Sequence, residues 1–310
     1  PAARRARRPR AGEEAEVLVR TTSRCNQDCP FCSGPEHGEP TTEVLHALFR
    51  AAAELLPGAM LSLTGGEPTL RRGFGEELRA ALAMVPRGRI QVQTNAVRFA
   101  AAVDPATLPV VPRLRFFVSL HALDQAIYDR CTGTRRQFDK AISGIRRLLA
   151  AKHRVTLNAV VTRANIGHLD DYVRLLPRVF RGARRPALHF SVLICPEWNP
   201  RAAASLVRYG EVVDVLRRAA RTARALGLDL HPLRSSTHAS LPACVLPARE
   251  RVRRSDYRIG EHETGYEDST RPFVKAARCR GCRETERCLG VPQPYARAFG
   301  LEELRPIGTR

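Results

Sequence analysis

Lysine is almost missing from this chain. Of its 51 basic residues only Lys140, Lys152 and Lys275 are lysines, and the rest are arginine. A net charge of +20 by itself invites a nucleic-acid partner. The arginines, however, are scattered apart from the first ten positions, and they accompany abundant Ala, Pro and Gly. That bias follows the codons of a GC-rich genome, so the excess charge reads as a solvated surface and a nucleic-acid substrate is not expected. No apolar run approaches the roughly 20 residues that cross a bilayer. The opening "PAARRARRPR" has no apolar stretch of a secretory signal. The expectation is a cytoplasmic protein without a membrane partner, with a basic disordered arm over residues 1–14. In a reducing compartment, nine cysteines at CxxxCxxC and CxxC spacings point to metal binding more than to disulfides.

A fourth cysteine is also lacking where one would be wanted. "SRCNQDCPFC" (23–32) places Cys25, Cys29 and Cys32 within eight positions, and the next cysteine is Cys131. Soft thiolates select iron–sulfur clusters or zinc. A cubane cluster has four irons, so three cysteines leave one iron open for another ligand. A zinc site completed by His37 or a remote ligand is the alternative.

Strand-like and helix-like stretches alternate after the arm. β-rich runs occur at 16–20, 60–64, 89–95, 113–121, 154–162 and 187–194. Helical patterns lie at 42–56, 75–85, 138–151 and 209–226. Six βα units imply an α/β fold with a parallel sheet, open or curled into a barrel. Buried parallel strands normally read as unbroken apolar runs, and these do not. Gln91, Gln93 and Asn95 share one face of their strand, as do Ser119 and His121, Thr156 and Asn158, and His189 and Ser191. A sheet polar on one face of four strands favours a curled sheet whose lumen holds a polar ligand. The cysteine loop follows the first strand, at the end where α/β folds place their sites. The second strand ends in "LTGGEPTL" (63–70), where Gly65 and Gly66 would let backbone approach a ligand and Glu67 offers an acceptor for an ammonium group.

With these motifs in order, residues 15–226 resemble the radical S-adenosylmethionine (radical SAM) enzymes. The resemblance rests on "CNQDCPFC", "TGGEPTL", "QTNA", "VSLHALDQAIYDRCTG" and "LNAVVTRAN". It implies a partial (β/α)6 TIM-like barrel and a [4Fe–4S] cluster on Cys25, Cys29 and Cys32 that binds S-adenosylmethionine. It further implies reductive cleavage to a 5′-deoxyadenosyl radical that takes hydrogen from substrate. Family roles fall on Gly65, Gly66 and Glu67 for the methionine ammonium and on Phe31 near the adenine. Ser119 and Arg130 would grip the methionine carboxylate, and Asn158 and Asn95 are ribose contacts. His121, two residues beyond Ser119, would touch substrate or move a proton, or else serve as a hydrogen-bonded structural histidine. Cys131 reads as structural and Cys195 as a small buried residue near the rim, and for Trp198 substrate contact is the lesser of its two readings.

Beyond residue 226 the alternation stops, and 249–272 is charged and irregular. "CRGCRETERCLGVPQPY" (279–295), with Cys244 upstream, resembles part of the SPASM and twitch appendages of that family. Four cysteines, Cys244, Cys279, Cys282 and Cys288, imply one auxiliary [4Fe–4S] cluster in a C-terminal region over 227–310, with a zinc ribbon as the alternative. The expected function is hydrogen abstraction from a peptide or small natural-product precursor, fed by a flavodoxin- or ferredoxin-type electron donor. The rival is a zinc-bearing nucleic-acid-binding module.

Overall fold

A computed structural model describes residues 15–34, 38–55, 57–193, 195, 199–231, 241–246, 256–261, 265–268, 273–286 and 288–308. The basic arm 1–14, His37 and Trp198 lie outside the described residues. All six expected strands form: β1 (Ala15–Thr22), β2 (Met60–Gly65), β3 (Arg89–Thr94), β4 (Leu114–Ser119), β5 (Arg154–Val161) and β6 (Ala187–Val192). Each pairs in parallel with the next. Helices α1 (Thr42–Leu55), α2 (Phe74–Met84), α3 (Gln125–Thr132), α4 (Phe138–Ala150), α5 (Leu169–Val179) and α6 (Tyr209–Ala225) interleave with them.

Strand alternation decides where the core lies. Val17, Val19, Leu61, Leu63, Ile90, Val92, Phe116, Val118, Leu157 and Leu188 point outward and are buried under the helices. There they meet Leu45 and Phe49 of α1, Leu78 of α2, Ile145 and Leu148 of α4, Val173 of α5 and Leu216 of α6. The opposite face carries the polar series. β1 and β6 stand at the two ends of this six-strand run, about 24 Å apart were the sheet flat. Glu16 of β1 and His189 and Ser191 of β6 nevertheless line one cavity, so the sheet curls into a partial barrel around a polar lumen.

Two helices escape the periodic reading of the sequence. α3 has only eight residues, and its ends are set locally. Asp124 Oδ1 accepts the Ile127 amide at 2.9 Å, and Gly133 closes the helix in a left-handed conformation. α5 carries Pro177 within it, which breaks its helical signature.

The charged 249–272 segment corrects the expectation of an irregular loop. It contributes β7 (Asp256–Glu261), parallel to β1, and β8 (Gly265–Asp268), antiparallel to β7. The sheet thus runs β6-β5-β4-β3-β2-β1-β7-β8. A pattern reading missed these strands because their sequence is charged and without apolar alternation, and pairing onto β1 is what makes them strands. The chain continues through the antiparallel pair β9 (Phe273–Val274) and β10 (Val291–Pro292) into α7 (Gln293–Phe299). Tyr295 of α7 stacks on Tyr209 at the start of α6, with ring centroids 3.9 Å apart and planes 7° from parallel. Its hydroxyl accepts the Tyr209 amide at 2.9 Å and donates to Glu303. This contact seats the C-terminal region on the barrel.

Candidate active site

The three-cysteine loop is held from three directions. The Asp28 amide donates to Thr132 O at 2.9 Å, and Gln137 Nε2 donates to Asn26 O at 2.8 Å. Gln27 Nε2 donates to the Tyr128 hydroxyl at 2.8 Å. These partners all come from the α3–α4 region, which explains what "DQAIYDRCTG" does locally. Gly133 is required there, because a Cβ on it would stand 2.1 Å from Asp28 O. From the segment after β6, Asn199 Nδ2 donates to Pro30 O and Cys32 O at 3.1 and 3.0 Å. Arg201 grips Asp28 through both carboxylate oxygens, at 2.9 and 3.1 Å. Sequence reasoning passed over Asn199 and Arg201 because their partners lie about 170 positions away.

The "GGEP" turn forms the next side of the site. The Gly66 amide donates to Thr22 O and the Glu67 amide to Arg24 O, each at 2.7 Å. A Cβ on Gly65 would meet Thr22 O at 2.2 Å, and one on Gly66 would meet Arg24 O at 2.1 Å. The glycines therefore admit the protein's own backbone as well as lining the cavity. They zip β2 onto the stem of the cysteine loop. Gly66→Ala is expected to force that stem away and lower unfolding stability by about 3 kcal/mol or more. An unchanged urea midpoint would refute this packing role.

Glu67 is buried and already bonded. Its Oε1 accepts from Thr69 N, Thr69 Oγ1 and Thr94 Oγ1 at 3.1, 2.6 and 2.7 Å, and its Oε2 from the Asn95 amide at 2.7 Å. Burial raises its pKa, although these donors oppose the shift. Oε2 is the oxygen with room for a further donor. Asn95 is similarly committed, its Nδ2 to Asn26 Oδ1 at 2.7 Å and its Oδ1 to the Val97 amide at 3.0 Å.

These groups open onto a cavity of about 530 Å³. Its rim includes Cys25, Cys29, Phe31, Cys32, Gly65, Gly66, Glu67, Asn95, Ser119, His121, Asn158 and Ser191. Asn158 Oδ1 accepts the Ser191 hydroxyl at 2.8 Å, which turns its amide nitrogen to other partners. His121 is buried, edge-on to Phe31 at 5.2 Å, and its Nδ1 accepts the Val160 amide at 3.2 Å. Desolvation pushes its pKa down to about 4, so it is neutral at pH 7 with its proton on Nε2. It can donate a hydrogen bond, but an imidazolium proton shuttle does not suit this position.

Arg130 departs from expectation. The inward stripe of α3 is Ile127, Tyr128, Cys131 and Thr132, and Arg130 falls off it, exposed and away from the cavity lining. Cys131 and Cys195 are buried, and the hydrophobic core includes both.

The loop chemistry fits a thiolate-bound cluster. All three loop thiols are free and face one cavity. Burial pushes Cys25 up to about 11, and burial together with Cys32 and Cys25 pushes Cys29 higher still. Thiolates this close repel one another and need a cationic centre to coexist. Among the described residues no three His, Cys, Asp or Glu side chains can share a single metal ion. The corners of a four-iron cluster stand wider apart than the ligands of one ion.

The C-terminal cysteines converge as well. Cys244, Cys279, Cys282 and Cys288 line one small cavity of about 20 Å³. The Ile307 amide donates to Cys282 Sγ and the Gly290 amide to Cys288 Sγ, each at 3.3 Å. Cys244 and Cys288 are both raised by burial, and both feel the thiol of Cys279.

A Radical SAM superfamily model matches residues 19–176. A probable GTP 3',8-cyclase of Methanocella arvoryzae is 31% identical over 176 residues, covering 54% of this chain and 55% of the relative. A PqqA peptide cyclase of Rhizobium meliloti is 27% identical over 225 residues, 70% of this chain and 57% of the relative. The chain spans about half the length of the first curated relatives it matches. Among solved structures, Streptococcus suis SuiB bound to precursor peptide SuiA aligns at TM-score 0.58 and 15% identity, over 71% of this chain and 48% of SuiB. Native anSMEcpe with bound AdoMet and Cp18Cys peptide aligns at TM-score 0.60 and 14% identity, over 96% of this chain and 93% of that one. These two likenesses establish the fold.

Proposed function

The chain belongs to the radical SAM superfamily, and from that premise we propose that Cys25, Cys29 and Cys32 hold a [4Fe–4S] cluster beside bound S-adenosylmethionine. When bound, these groups would supply a one-electron reductive cleavage of S-adenosylmethionine and thereby the radical chemistry that takes hydrogen from an unreactive C–H bond. The observation that carries this reading is the placement of three free thiols at the mouth of a polar lumen.

The chain's own residues then bind, orient and exclude water. Glu67 Oε2 accepts the methionine ammonium, and the backbone at Gly65 and Gly66 shapes that pocket. Phe31 covers the adenine. The Asn158 amide, steadied by Ser191, contacts the ribose, and Ser119 donates to the carboxylate. Asn95 acts chiefly through its hold on Asn26. His121 donates from Nε2 as a neutral group. The curled sheet shields the reacting atoms from water.

Cys244, Cys279, Cys282 and Cys288 hold a second [4Fe–4S] cluster in this reading. Four thiols around one cavity leave no corner for substrate, so the role is electron transfer. The substrate is a peptide or a small natural-product precursor, and the donor a flavodoxin or ferredoxin. A zinc-bearing nucleic-acid module accounts for neither the family match nor the lumen.

The test is an anaerobic preparation, expected to be brown with a band near about 400 nm. With dithionite and S-adenosylmethionine it should release 5′-deoxyadenosine. A colourless protein with stoichiometric zinc and no such product would overturn the assignment.

A further inference from the structure

The lumen continues well below its rim, and its lower wall is cationic. Arg89 at the start of β3 and Arg115 of β4 line this lower part of the cavity, while Arg20 of β1, level with Thr64, lines it nearer the rim. Guanidinium groups rarely line the inside of a parallel barrel, where layers of branched apolar residues are the usual filling. Arg115 is oriented: its Nε donates to Gln91 Oε1 at 2.7 Å and its terminal nitrogen lies 2.9 Å from Met60 Sδ. A guanidinium with its plane fixed in this way suits an oxyanion, which it can meet with two parallel hydrogen bonds. Higher on the cavity wall, His189 lies beside Phe117 at 5.3 Å and His231 at 5.8 Å between ring centroids. Glu16 is the one described carboxylate of the lower wall, and its Oε1 accepts from Ser62, Gln91 and Gln93.

We propose that the lower lumen is an oxyanion subsite built on Arg89 and Arg115, and that the substrate is an elongated molecule with a phosphate or carboxylate at its far end. This rests on the radical SAM reading of the rim. Strand geometry fixes the length. Arg115 lies four residues below Ser119 on β4, a separation of roughly 13 Å at about 3.3 Å per residue. The anionic group is therefore held up to that distance from the rim where hydrogen is taken. Binding energy from this remote end places the reacting carbon without touching it.

The test is calorimetric titration of the reconstituted chain with sodium pyrophosphate and, separately, sodium glutarate. It is run at about 0.15 M salt, where loose surface attraction is screened, and without reductant. One of the two anions is expected to bind, and which one binds names the substrate's terminal group. Arg115→Gln and Arg89→Gln should each raise its Kd roughly ten- to a hundredfold. Arg115→Lys should fall between, since it keeps charge and loses the fork. Arg221→Gln, on the exposed face of α6, should bind like the parent. If Arg115→Gln does not fold, Arg89→Gln, at the exposed start of its strand, decides alone. Binding of neither anion, indifference to the lumen substitutions, or equal loss in Arg221→Gln would overturn the subsite. No radical step enters this titration. Failure to form 5′-deoxyadenosine would therefore sink the function reading and leave the titration to be judged separately.

Discussion

Replacing Cys25, Cys29 and Cys32 together by Ala is expected to abolish 5′-deoxyadenosine formation altogether. The loop itself should keep its path in the variant. Its anchors are the Asp28–Arg201 pair, the Asp28 amide on Thr132 O, and Asn199 on Pro30 O and Cys32 O, and none of them uses a thiol. The folded barrel should therefore survive, with its outer core intact, and the loss should be confined to iron. Iron content should drop from about eight per chain to about four, the share of one cubane. The measurement is product by chromatography beside iron by colorimetry, with circular dichroism as the folding check. Product persisting in the triple variant would end the assignment of the radical cluster to this loop.

Removing Cys279 and Cys282 should act on the other half of the molecule with an effect of similar size. Iron should again fall to about four per chain, while S-adenosylmethionine cleavage continues and substrate turnover stops. The structural consequence should reach further than in the barrel. Among the described residues the C-terminal segments bury a handful of large apolar side chains, Leu241, Leu246, Val291, Tyr295, Leu304 and Ile307. They are organised around the cavity that the four cysteines line. Metal binding in such a unit is also folding energy, commonly about 10 kcal/mol or more for structural metal sites. Hydrogen exchange over 241–246 and 273–308 should accelerate in this variant and stay protected in the parent. Zinc without iron in the barrel triple variant would make the appendage structural and remove its redox role.

The pH behaviour of His121 follows from its burial and sets a modest background to both experiments. Its folded-state pKa, near 4, lies below the ordinary value of 6.5. Between these values the unfolded chain binds the extra proton, so His121 lowers stability progressively as pH falls from 6.5 towards 4. Assays above pH 7 are free of this contribution.

What the chain declared by itself was its layering and its cysteine chemistry. Period-two alternation placed Gln91, Gln93, Ser119, His121, Asn158, His189 and Ser191 on one side of the sheet, and all of them line the cavity. That signal is legible because strand periodicity is a local property and the lumen excludes no polar group. The spacing of Cys25, Cys29 and Cys32 is local too, and so was readable. Gathering Cys244 with Cys279, Cys282 and Cys288 needed the family resemblance, and the fold then placed all four on one cavity.

Tertiary structure alone decided the rest, because the deciding contacts join distant segments. The family resemblance assigns Arg130 to the site, but the helical phase of α3 turns it outward. Gly65 and Gly66 line the cavity, but only the folded chain reveals that the backbone of Thr22 and Arg24 closes the Cβ side of each. Arg201 and Asn199 carried no local mark at all, since their partners are at Asp28, Pro30 and Cys32. β7 and β8 were unreadable for the same reason. A charged segment becomes a strand here only because β1 offers it an open edge.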